Sequence, residues 1–139
     1  MGTLVTLLHM RRLVNESFVL GMPTIKYDPK YIEEWVRERM IYTVDDPVEI
    51  IRTPANMFAT ISKTGHFNGD CDDAAILVCA IAHNLGMNCR LVAISDGILD
   101  QNYSHVFTEI QYNNEWVAVD PTIPDGTDII APNCLKVTI

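Results

Sequence analysis

Residues 69–86 have the sequence Gly-Asp-Cys-Asp-Asp-Ala-Ala-Ile-Leu-Val-Cys-Ala-Ile-Ala-His-Asn-Leu-Gly, and this stretch organises the rest of the chain. Asp70 is a favourable N-cap, because its carboxylate can accept hydrogen bonds from amides of the first helical turn, and Asp73 can complete a weaker form of the capping box. Nine apolar residues follow, and Gly86 suits the left-handed conformation that ends many helices. The sequence therefore predicts a helix over Cys71–Leu85.

This helix is apolar on every side over its middle, which is typical of a helix at the centre of a domain. We expect only its N-terminal end to be exposed. The Cys71 thiol lies there at the positive end of the helix dipole, near unpaired amides, and both favour the nucleophilic thiolate. Asp70, Asp72 and Asp73 oppose the thiolate by like-charge repulsion, so an active thiol would need a cationic partner such as histidine.

The three aspartates around Cys71 allow a second interpretation, because hard cations such as calcium bind carboxylates. Acidic residues at the start of a helix more commonly cap the helix and complement its dipole. We therefore predict that Asp70, Asp72 and Asp73 hold no metal.

The 139 residues are enough for one domain with a substantial core, so we predict a single domain over residues 1–139. Its composition, 48% hydrophobic and 20% charged, is typical of a compact soluble protein. The net charge of -8 argues against nucleic acid or an anionic membrane as the main partner. No apolar run is long enough to span a bilayer, and no nucleotide-binding glycine loop or redox motif indicates a cofactor.

The chain contains four cysteines: Cys71, Cys79, Cys89 and Cys134. They lack the Cys-x-x-Cys spacing of a zinc site, and a chain this rich in aliphatic residues does not need a disulfide framework. Cys79 and Cys89 lie in apolar or strand-like stretches, where we expect inert core thiols. Unpaired core thiols indicate a reducing compartment, so we predict a cytoplasmic location.

Residues 1–52 are predicted to form a helical N-terminal part. A first helix over Leu4–Val14 has an apolar side and a basic side, formed by Leu4, Leu7 and Leu8 and by Arg11 and Arg12. A second helix begins with Asp28 as N-cap and Pro29 as its first residue, and it continues to about Met40. Its predicted apolar face contains Ile32, Trp35, Val36 and Met40, and its predicted charged face contains Glu33, Glu34, Arg37 and Glu38.

The start signal of an aspartate followed by a proline recurs before Pro47 and predicts a short helix from there to about Arg52. Residues 53–69 contain one proline and two glycines and show no sustained hydrophobic period. We predict a long loop here that brings Asp70 and Cys71 to the surface.

After the central helix, the pattern changes to one that is typical of strands. The predicted strands cover Cys89–Ile94, Ser104–Tyr112, Glu115–Asp120 and, near the C-terminus, Leu135–Ile139. Asn113 and Asn114 both tolerate positive φ, so we expect a two-residue hairpin turn between the second and third of these strands.

This turn fixes which side chains share a face of the hairpin. If Tyr112 lies opposite Glu115, alternation along the strands groups five residues on one face: His105, Phe107, Trp116, Ala118 and Asp120. His105 and Asp120 are then diagonal neighbours, about 7–8 Å apart at the backbone, within reach of a ring-to-carboxylate hydrogen bond. Such a carboxylate fixes the tautomer of the ring and leaves its other nitrogen to take a proton from a thiol.

If the start of the central helix packs against this face, Cys71, His105 and Asp120 form a set of nucleophile, base and orienting group. The Cys71 amide would be one oxyanion donor, because the first amides of a helix are unpaired. Further candidates for oxyanion or substrate binding are Asn68, Asn56 and Trp116. The spacing does not choose between the two asparagines, and core packing is the simpler interpretation of the tryptophan.

Four motifs together carry a family resemblance: Gly-Asp-Cys-Asp-Asp at 69–73, Asn-Leu-Gly-Met-Asn-Cys-Arg-Leu-Val at 84–92, Ser-His-Val-Phe-Thr-Glu-Ile at 104–110 and Trp-Val-Ala-Val-Asp-Pro-Thr at 116–122. The chain resembles the transglutaminase-like superfamily of cysteine enzymes, in particular its small single-domain bacterial and phage members. The resemblance implies a papain-like α+β fold, with N-terminal helices and a central helix packed on an antiparallel sheet. It implies a catalytic core over residues 70–122, with Cys71 as nucleophile, His105 as general base and acid, and Asp120 orienting the histidine.

The resemblance further implies a cysteine protease, peptidase or amidase that acts on a protein or peptide through a thioester on Cys71. Glutamine acyl transfer and deamidation remain alternatives, because they share the thioester and differ in the group that attacks it. A non-catalytic binding or assembly module that keeps the fold, for example one associated with a phage, is a third interpretation. The loops at 53–68 and 95–103 would shape the pocket that decides between these reactions.

Overall fold

The structure is a computed structural model that describes residues 2–17, 25–44, 51–95, 104–124, 127 and 134–139. The helices in this part of the chain are α1 (Thr3–Asn15), α2 (Pro29–Arg39), α3 (Pro54–Thr64) and α4 (Cys71–Asn84). The strands are β1 (Met40–Tyr42), β2 (Phe67–Gly69), β3 (Cys89–Ile94), β4 (His105–Tyr112), β5 (Glu115–Val119) and β6 (Cys134–Thr138).

An antiparallel sheet in the order β5-β4-β3-β6 forms one layer of the fold, and α4 packs against it. The other three helices also contact α4, and every residue of α4 from Asp72 to Ala82 is buried. β1 and β2 form a separate parallel pair that leads directly into α4. This arrangement confirms the predicted α+β fold, in which N-terminal helices and a central helix pack on an antiparallel sheet.

The start of α4 is built as its sequence predicts. The Asp70 carboxylate accepts from the backbone amides of Asp72 and Asp73, and the Asp73 carboxylate accepts from the Asp70 amide at 3.1 Å, which completes the capping box. Gly86 has a φ of 79° just after the helix end. The expectation that only the N-terminal end is exposed was wrong, because His83 is exposed while Asp72 and Asp73 are buried.

The hairpin of β4 and β5 has the predicted register. Asn113 and Asn114 have φ values of 53° and 64°, which asparagine tolerates better than most residues. Tyr112 lies opposite Glu115, and the pairing continues in the same register to Thr108 and Val119. β3 has the predicted bounds, β4 and β6 each begin within one residue of the predicted start, and β5 ends one residue early.

The predicted long loop over residues 53–69 was wrong, because most of this stretch forms α3 and β2. Thr53 is the N-cap and accepts from the Asn56 amide, the adjoining proline occupies the first helical turn, and Gly65 closes the helix with a φ of 86°. The proline and the glycine therefore mark the two ends of a helix rather than a loop. Met57 and Phe58 supply its buried face.

Two predicted helix faces also needed correction. In α1, the buried residues are Thr3, Thr6, Leu7, Met10 and Val14. Leu4 and Leu8 are 50% and 38% exposed, because the face that packs against the core follows Leu7, Met10 and Val14 at spacings of three and four residues. In α2, Glu33 is buried despite its place on the predicted charged face.

Two predicted segments fall largely outside the described residues: the helix from Pro47, of which only the non-helical Ile51 and Arg52 are described, and the loop after Ser95. Among the helices of the described ranges, none combines the length and hydrophobicity needed to cross a bilayer.

Candidate active site

Cys71 is the first residue of α4, and the packing of β4 on this helix determines what faces its thiol. The hydroxyl of Thr108 in β4 donates to the carbonyl of Ala75 at 2.8 Å, which ties the strand to the first turns of the helix. The half-buried thiol lies within hydrogen-bonding reach of the Val106 backbone, one residue from His105. The helix start and the histidine strand therefore meet at the predicted nucleophile.

His105 and Asp120 are hydrogen-bonded, as the hairpin register predicts. Nε2 of His105 lies 2.5 Å from Oδ2 of Asp120. Asp120 is 3% exposed, whereas the His105 side chain retains 24% of its surface. The carboxylate engages Nε2, so Nδ1 is the ring nitrogen that remains to exchange a proton with a thiol.

The carboxylate of Asp120 has a second partner that the sequence did not single out. Oδ1 accepts from the Thr122 hydroxyl at 2.6 Å and from the Thr122 amide at 3.0 Å. Burial acts to raise the pKa of Asp120, but the hydrogen bonds from His105 and Thr122, together with the charge of His105, hold it below its usual 3.8. Asp120 is therefore an anion at neutral pH, the form needed to orient and stabilise an imidazolium.

The Cys71 thiol is protonated in the resting site. Burial raises the pKa of this thiol from its ordinary 9.0 to about 12, and the adjacent Asp72 carboxylate contributes to the rise. The backbone contact with Val106 opposes the rise, whereas the charges of Asp70 and Asp120 add to it. Burial, which the sequence did not reveal at this position, is therefore the main reason that the thiol is protonated, and the repulsion by aspartates acts in the same direction.

Tyr42 belongs to the site, although the sequence gave no indication of it. It lies at the end of β1, opposite Gly69 in the parallel pair with β2. The residue is 53% exposed, yet its partial burial raises the pKa of the phenol, and the charges of Cys71, Asp70 and Asp120 raise it further. The three-residue strand β1 carries too weak a pattern to be predicted, so this neighbour was missed.

Sequence reasoning also missed the role of Glu33 and Arg37 of α2, which contact the backbone of Asp120. Their local signal is an ion pair at a spacing of four residues. That signal is equally typical of a solvated helix face, so it does not by itself predict a contact with a distant strand.

Asn56 and Asn68 lie on α3 and β2 and line one cavity of about 210 Å³. Both asparagines are exposed, and Arg52 and Thr60 add further polar groups to the cavity wall. The structure therefore brings the two predicted alternatives together on the chain segments that precede Cys71.

Trp116 lies at the other end of the hairpin, in a cluster of charged side chains. The guanidinium of Arg90 stacks on its ring at 4.1 Å from the centroid and also forms an ion pair with Glu109 at 2.7 Å. The tryptophan is half-buried and is four residues from Asp120 along β5. Its suggested role in substrate binding stays a prediction.

The aspartates at the start of α4 are occupied by protein partners. Asp70 and Asp73 cap the helix, and Asp73 also accepts from the backbone amide and the guanidinium of Arg52, at 3.0 and 2.6 Å. Within the described ranges, no three His, Cys, Asp or Glu side chains are placed to hold a metal ion.

Comparison with known proteins gives one family and one related structure. The family model described as the transglutaminase-like superfamily matches residues 13–121. No protein of curated function matches the chain. A crystal structure described as that of a proposed cysteine protease from Cytophaga hutchinsonii is similar, with 15% identity and a TM-score of 0.49, over 86% of this chain and 37% of the other. The chain thus spans little more than a third of that protein's length.

Proposed function

The chain belongs to the transglutaminase-like superfamily, whose members are generally cysteine-dependent enzymes, and on that premise we propose that it hydrolyses an amide bond in a protein or peptide. In this proposal Cys71 is the nucleophile, His105 the general base and acid, and Asp120 the orienting group. The observation that carries the proposal is the hydrogen bond between His105 Nε2 and Asp120 Oδ2, beside a thiol at a helix start. That bond supports a triad, because it leaves Nδ1 as the ring nitrogen free to exchange a proton with the thiol.

The proposed reaction has two halves joined by a thioester. The Cys71 proton passes to His105 as the sulfur attacks the carbonyl carbon, and the oxygen that becomes negative accepts from the Cys71 amide. His105 then returns the proton to the nitrogen of the leaving amine, and the C–N bond breaks. In the second half, water gives a proton to His105 and attacks the thioester, which releases a carboxylic acid and restores the thiol.

The raised pKa of Cys71 affects how the first half begins. A thiol with a pKa of about 12 is almost fully protonated at neutral pH, so the site does not start from a stable pair of thiolate and imidazolium. Proton transfer to His105 therefore accompanies the attack on the carbonyl. Asp120 supports this step, because an anion beside Nε2 stabilises the imidazolium as it forms.

We further propose that Asn56 or Asn68 binds part of the substrate, in the cavity that the two residues share with Arg52. The support is their shared cavity, which lies on the two segments that lead into α4. Side-chain amides can donate to a carbonyl oxygen and accept from a backbone amide, so they suit a peptide. Asn68→Ala and Asn56→Ala, assayed separately for KM and kcat, identify which of them contacts the substrate.

One observation favours a second candidate function, a binding or assembly module without turnover. The carboxylates of Asp70, Asp72 and Asp120 all disfavour the thiolate of Cys71, which is unusual around a reactive cysteine. A phage-associated or other non-catalytic role would keep the fold and lose the chemistry. A reducing cytoplasmic setting is part of both proposals, and it is supported by the four free thiols.

The reactivity of Cys71 tests the proposal. Iodoacetamide labelling is followed across a range of pH, and mass spectrometry of the digested protein separates Cys71 from Cys134, an exposed thiol in the same molecule. We expect His105→Ala and Asp120→Ala to slow labelling of Cys71 by at least about 10-fold and to leave Cys134 unchanged, because both remove an oriented base that takes the thiol proton. In Asp120→Ala this loss should outweigh the removal of a charge that raises the Cys71 pKa. Equal, slow labelling of Cys71 in all three proteins would favour the non-catalytic module.

The group that attacks the thioester is tested with peptides. Mass spectrometry of candidate peptides, with and without an added primary amine, distinguishes cleavage from incorporation of the amine and from deamidation of glutamine. Cleavage that is unaffected by the amine is the expected result. Incorporation of the amine would assign the chain to glutamine acyl transfer instead. Cys71→Ser is the control in each case.

A further inference from the structure

Asp120 lies just beyond the end of its strand. β5 pairs with β4 only as far as Val119, which lies opposite Thr108, so the sheet does not hold the main chain of Asp120. The direction of a carboxylate depends on the backbone that carries it, and a ring-to-carboxylate bond weakens steeply when its geometry changes. Some other part of the protein must therefore hold this backbone in place.

The missing support comes from α2. Oε2 of Glu33 accepts from the Asp120 amide at 3.2 Å, and Nη2 of Arg37 donates to the Asp120 carbonyl at 3.3 Å. The same Nη2 donates to the Ile123 carbonyl at 3.1 Å, three residues further on. Both main-chain groups of Asp120 are thus bound by two side chains from one helix.

The two supporting side chains are themselves paired. Nη2 of Arg37 lies 2.8 Å from Oε1 of Glu33, and Glu33 is only 8% exposed. Lys30 approaches the same Oε1 at 3.6 Å, and Glu34 pairs with Nη1 of Arg37 at 2.9 Å. An ion pair that contacts only its own helix would be exposed to solvent, whereas this one is largely covered by the segment that carries Asp120.

We propose that Glu33 and Arg37 are positioning residues that hold the Asp120 backbone so that its carboxylate meets His105. This inference rests on the proposed function, in which His105 accepts the proton of Cys71. The pair, called here the Glu33–Arg37 clamp, acts through Asp120 and touches none of the reacting atoms. Its two charges compensate each other, so its effect is on geometry.

Pro121 helps to explain why the two backbone contacts from Glu33 and Arg37 are enough to hold Asp120. A proline restricts the backbone of the residue before it to extended conformations, which limits Asp120 from its C-terminal side. Thr122 then ties the carboxylate through Oδ1. With the clamp on the amide and the carbonyl, the remaining freedom of Asp120 is removed, and Oδ2 is left for His105.

The chain offers a matched control for the clamp. Glu34 also pairs with Arg37, but it is more exposed than Glu33, and within the described residues Glu33 rather than Glu34 bonds the Asp120 backbone. The variants are Glu33→Ala, Arg37→Lys and the control Glu34→Ala. Glu33→Gln is the conservative variant, because its amide oxygen can still accept from the Asp120 amide.

Two readouts are taken on the folded protein, and thermal unfolding verifies that each variant folds. The first is the low-field NMR signal of the imidazole N–H that bonds Asp120, identified by its loss in His105→Ala. The second is the rate of Cys71 labelling by iodoacetamide, with Cys134 as the internal reference. We expect Glu33→Ala and Arg37→Lys to weaken the NMR signal and to slow Cys71 labelling by about 10-fold. Glu34→Ala should match wild type in both measurements. Glu33→Gln should lie between Glu33→Ala and wild type.

The outcomes separate this inference from the proposed function. If His105→Ala and Asp120→Ala slow labelling but Glu33→Ala and Arg37→Lys behave like Glu34→Ala, the clamp is overturned and the triad stands. If His105→Ala leaves Cys71 labelling unchanged, the proposed function fails, and the NMR signal alone then decides whether the clamp holds Asp120. A signal in Glu33→Ala as strong as in wild type overturns the clamp in either case.

Discussion

Burial acts to raise the pKa of both Cys71 and Asp120, and the neighbouring groups decide whether each pKa ends above or below its usual value. At Asp120, hydrogen bonds from His105 and Thr122 outweigh burial and keep the pKa below 3.8. At Cys71, burial and neighbouring carboxylates act in the same direction and raise the pKa to about 12. Two groups whose pKa values are moved apart have defined roles at neutral pH, with Asp120 as the anion and Cys71 as the proton donor.

Replacing Thr122 by valine tests how the Asp120 carboxylate is held. The pKa of Asp120 is expected to rise, because the Thr122 hydroxyl donates to Oδ1 at 2.6 Å and stabilises the charged form. The free energy of unfolding at neutral pH should fall by about 2 kcal/mol, since a buried carboxylate loses a hydrogen bond. Carbon-13 NMR titration and urea denaturation measure the two effects.

Thr122→Ser is the control for this change, because it removes the methyl group and keeps the hydroxyl. Its Asp120 pKa and its stability should stay close to those of wild type. A serine variant as strongly affected as the valine variant would assign the effect to lost packing rather than to the hydrogen bond.

The titration of Tyr42 tests whether its phenol lies beside the nucleophile. Burial first, and then the charge of Cys71, raise the pKa of Tyr42 above 10.0. Asp70→Asn removes a charge that raises the Tyr42 pKa and is present throughout the titration, so the Tyr42 pKa should fall towards its usual value. Cys71→Ala should change it little, because the thiol itself stays protonated to about pH 12. The difference in ultraviolet absorbance between each protein and its Tyr42→Phe counterpart isolates this titration. A Tyr42 pKa that falls equally in Cys134→Ala would contradict the placement.

At the scale of elements, the parts predicted from the sequence are those that local chemistry determines. The capping box of α4 and the Asn113-Asn114 turn each depend on residues within a few positions of one another. The hairpin register followed from the turn alone and brought His105 to Asp120. Local signals of this kind carry over directly from sequence to structure.

The parts that were missed depend on contacts between distant segments. The carboxylate of Glu33 bonds the Asp120 amide 87 positions away, so no pattern within α2 could show that Glu33 is buried. β1 has only three residues and forms by pairing with β2. α3 is a different case, because its capping threonine and closing glycine were present in the sequence and were interpreted as loop residues.

Gly69 is the last residue of β2, and its replacement tests how closely β2 packs against the first turn of α4. A Cβ added there would lie 2.7 Å from the Asp73 Cβ and 2.8 Å from its Oδ2, so Gly69→Ala must displace the capping carboxylate. We expect this substitution to lower the free energy of unfolding by roughly 1–3 kcal/mol. It should also change the labelling rate of Cys71, because the first turn of α4 carries the thiol. Urea denaturation and iodoacetamide labelling measure these effects.

Gly86→Ala is the comparison for the other end of α4. Nothing lies within 4 Å of an added Cβ there, but the φ of 79° disfavours alanine by roughly 1–2 kcal/mol. Its stability should therefore fall while Cys71 labelling stays at the wild-type rate. Cys71 labelling that is unchanged in Gly69→Ala as well would show that the thiol does not depend on this junction.

At the scale of the whole molecule, the candidate site assembles where α4 begins. The proposed nucleophile comes from α4, the proposed base from β4 and the proposed orienting carboxylate from the residue after β5, while Tyr42 lies on β1 and the Glu33–Arg37 clamp on α2. The sequence predicted the first three because they lie in elements with strong local patterns. It could not predict the other two, because their positions depend on how the N-terminal helices and strands pack around α4.

The buried thiol of Cys71 should make the stability of the whole molecule depend on alkaline pH. The unfolded chain loses the Cys71 proton near pH 9, whereas the folded protein keeps it to about pH 12. Between these values the unfolded state binds fewer protons, so the free energy of unfolding falls as the pH rises. The contribution is complete below pH 9 and is lost as the pH approaches 12. By pH 11 the loss attributable to Cys71 should reach about 2–3 kcal/mol.

Cys71→Ala isolates this contribution, because every other titrating group is common to the two proteins. Urea denaturation of both at a series of pH values gives the difference between their free energies of unfolding. That difference should be constant up to about pH 9 and then move in favour of the alanine variant. Cys134→Ala, at an exposed thiol, should follow wild type throughout. A difference that stays constant through the alkaline range would mean that Cys71 ionises as readily in the folded protein as in the unfolded chain, and that the thiol is not held in its protonated form.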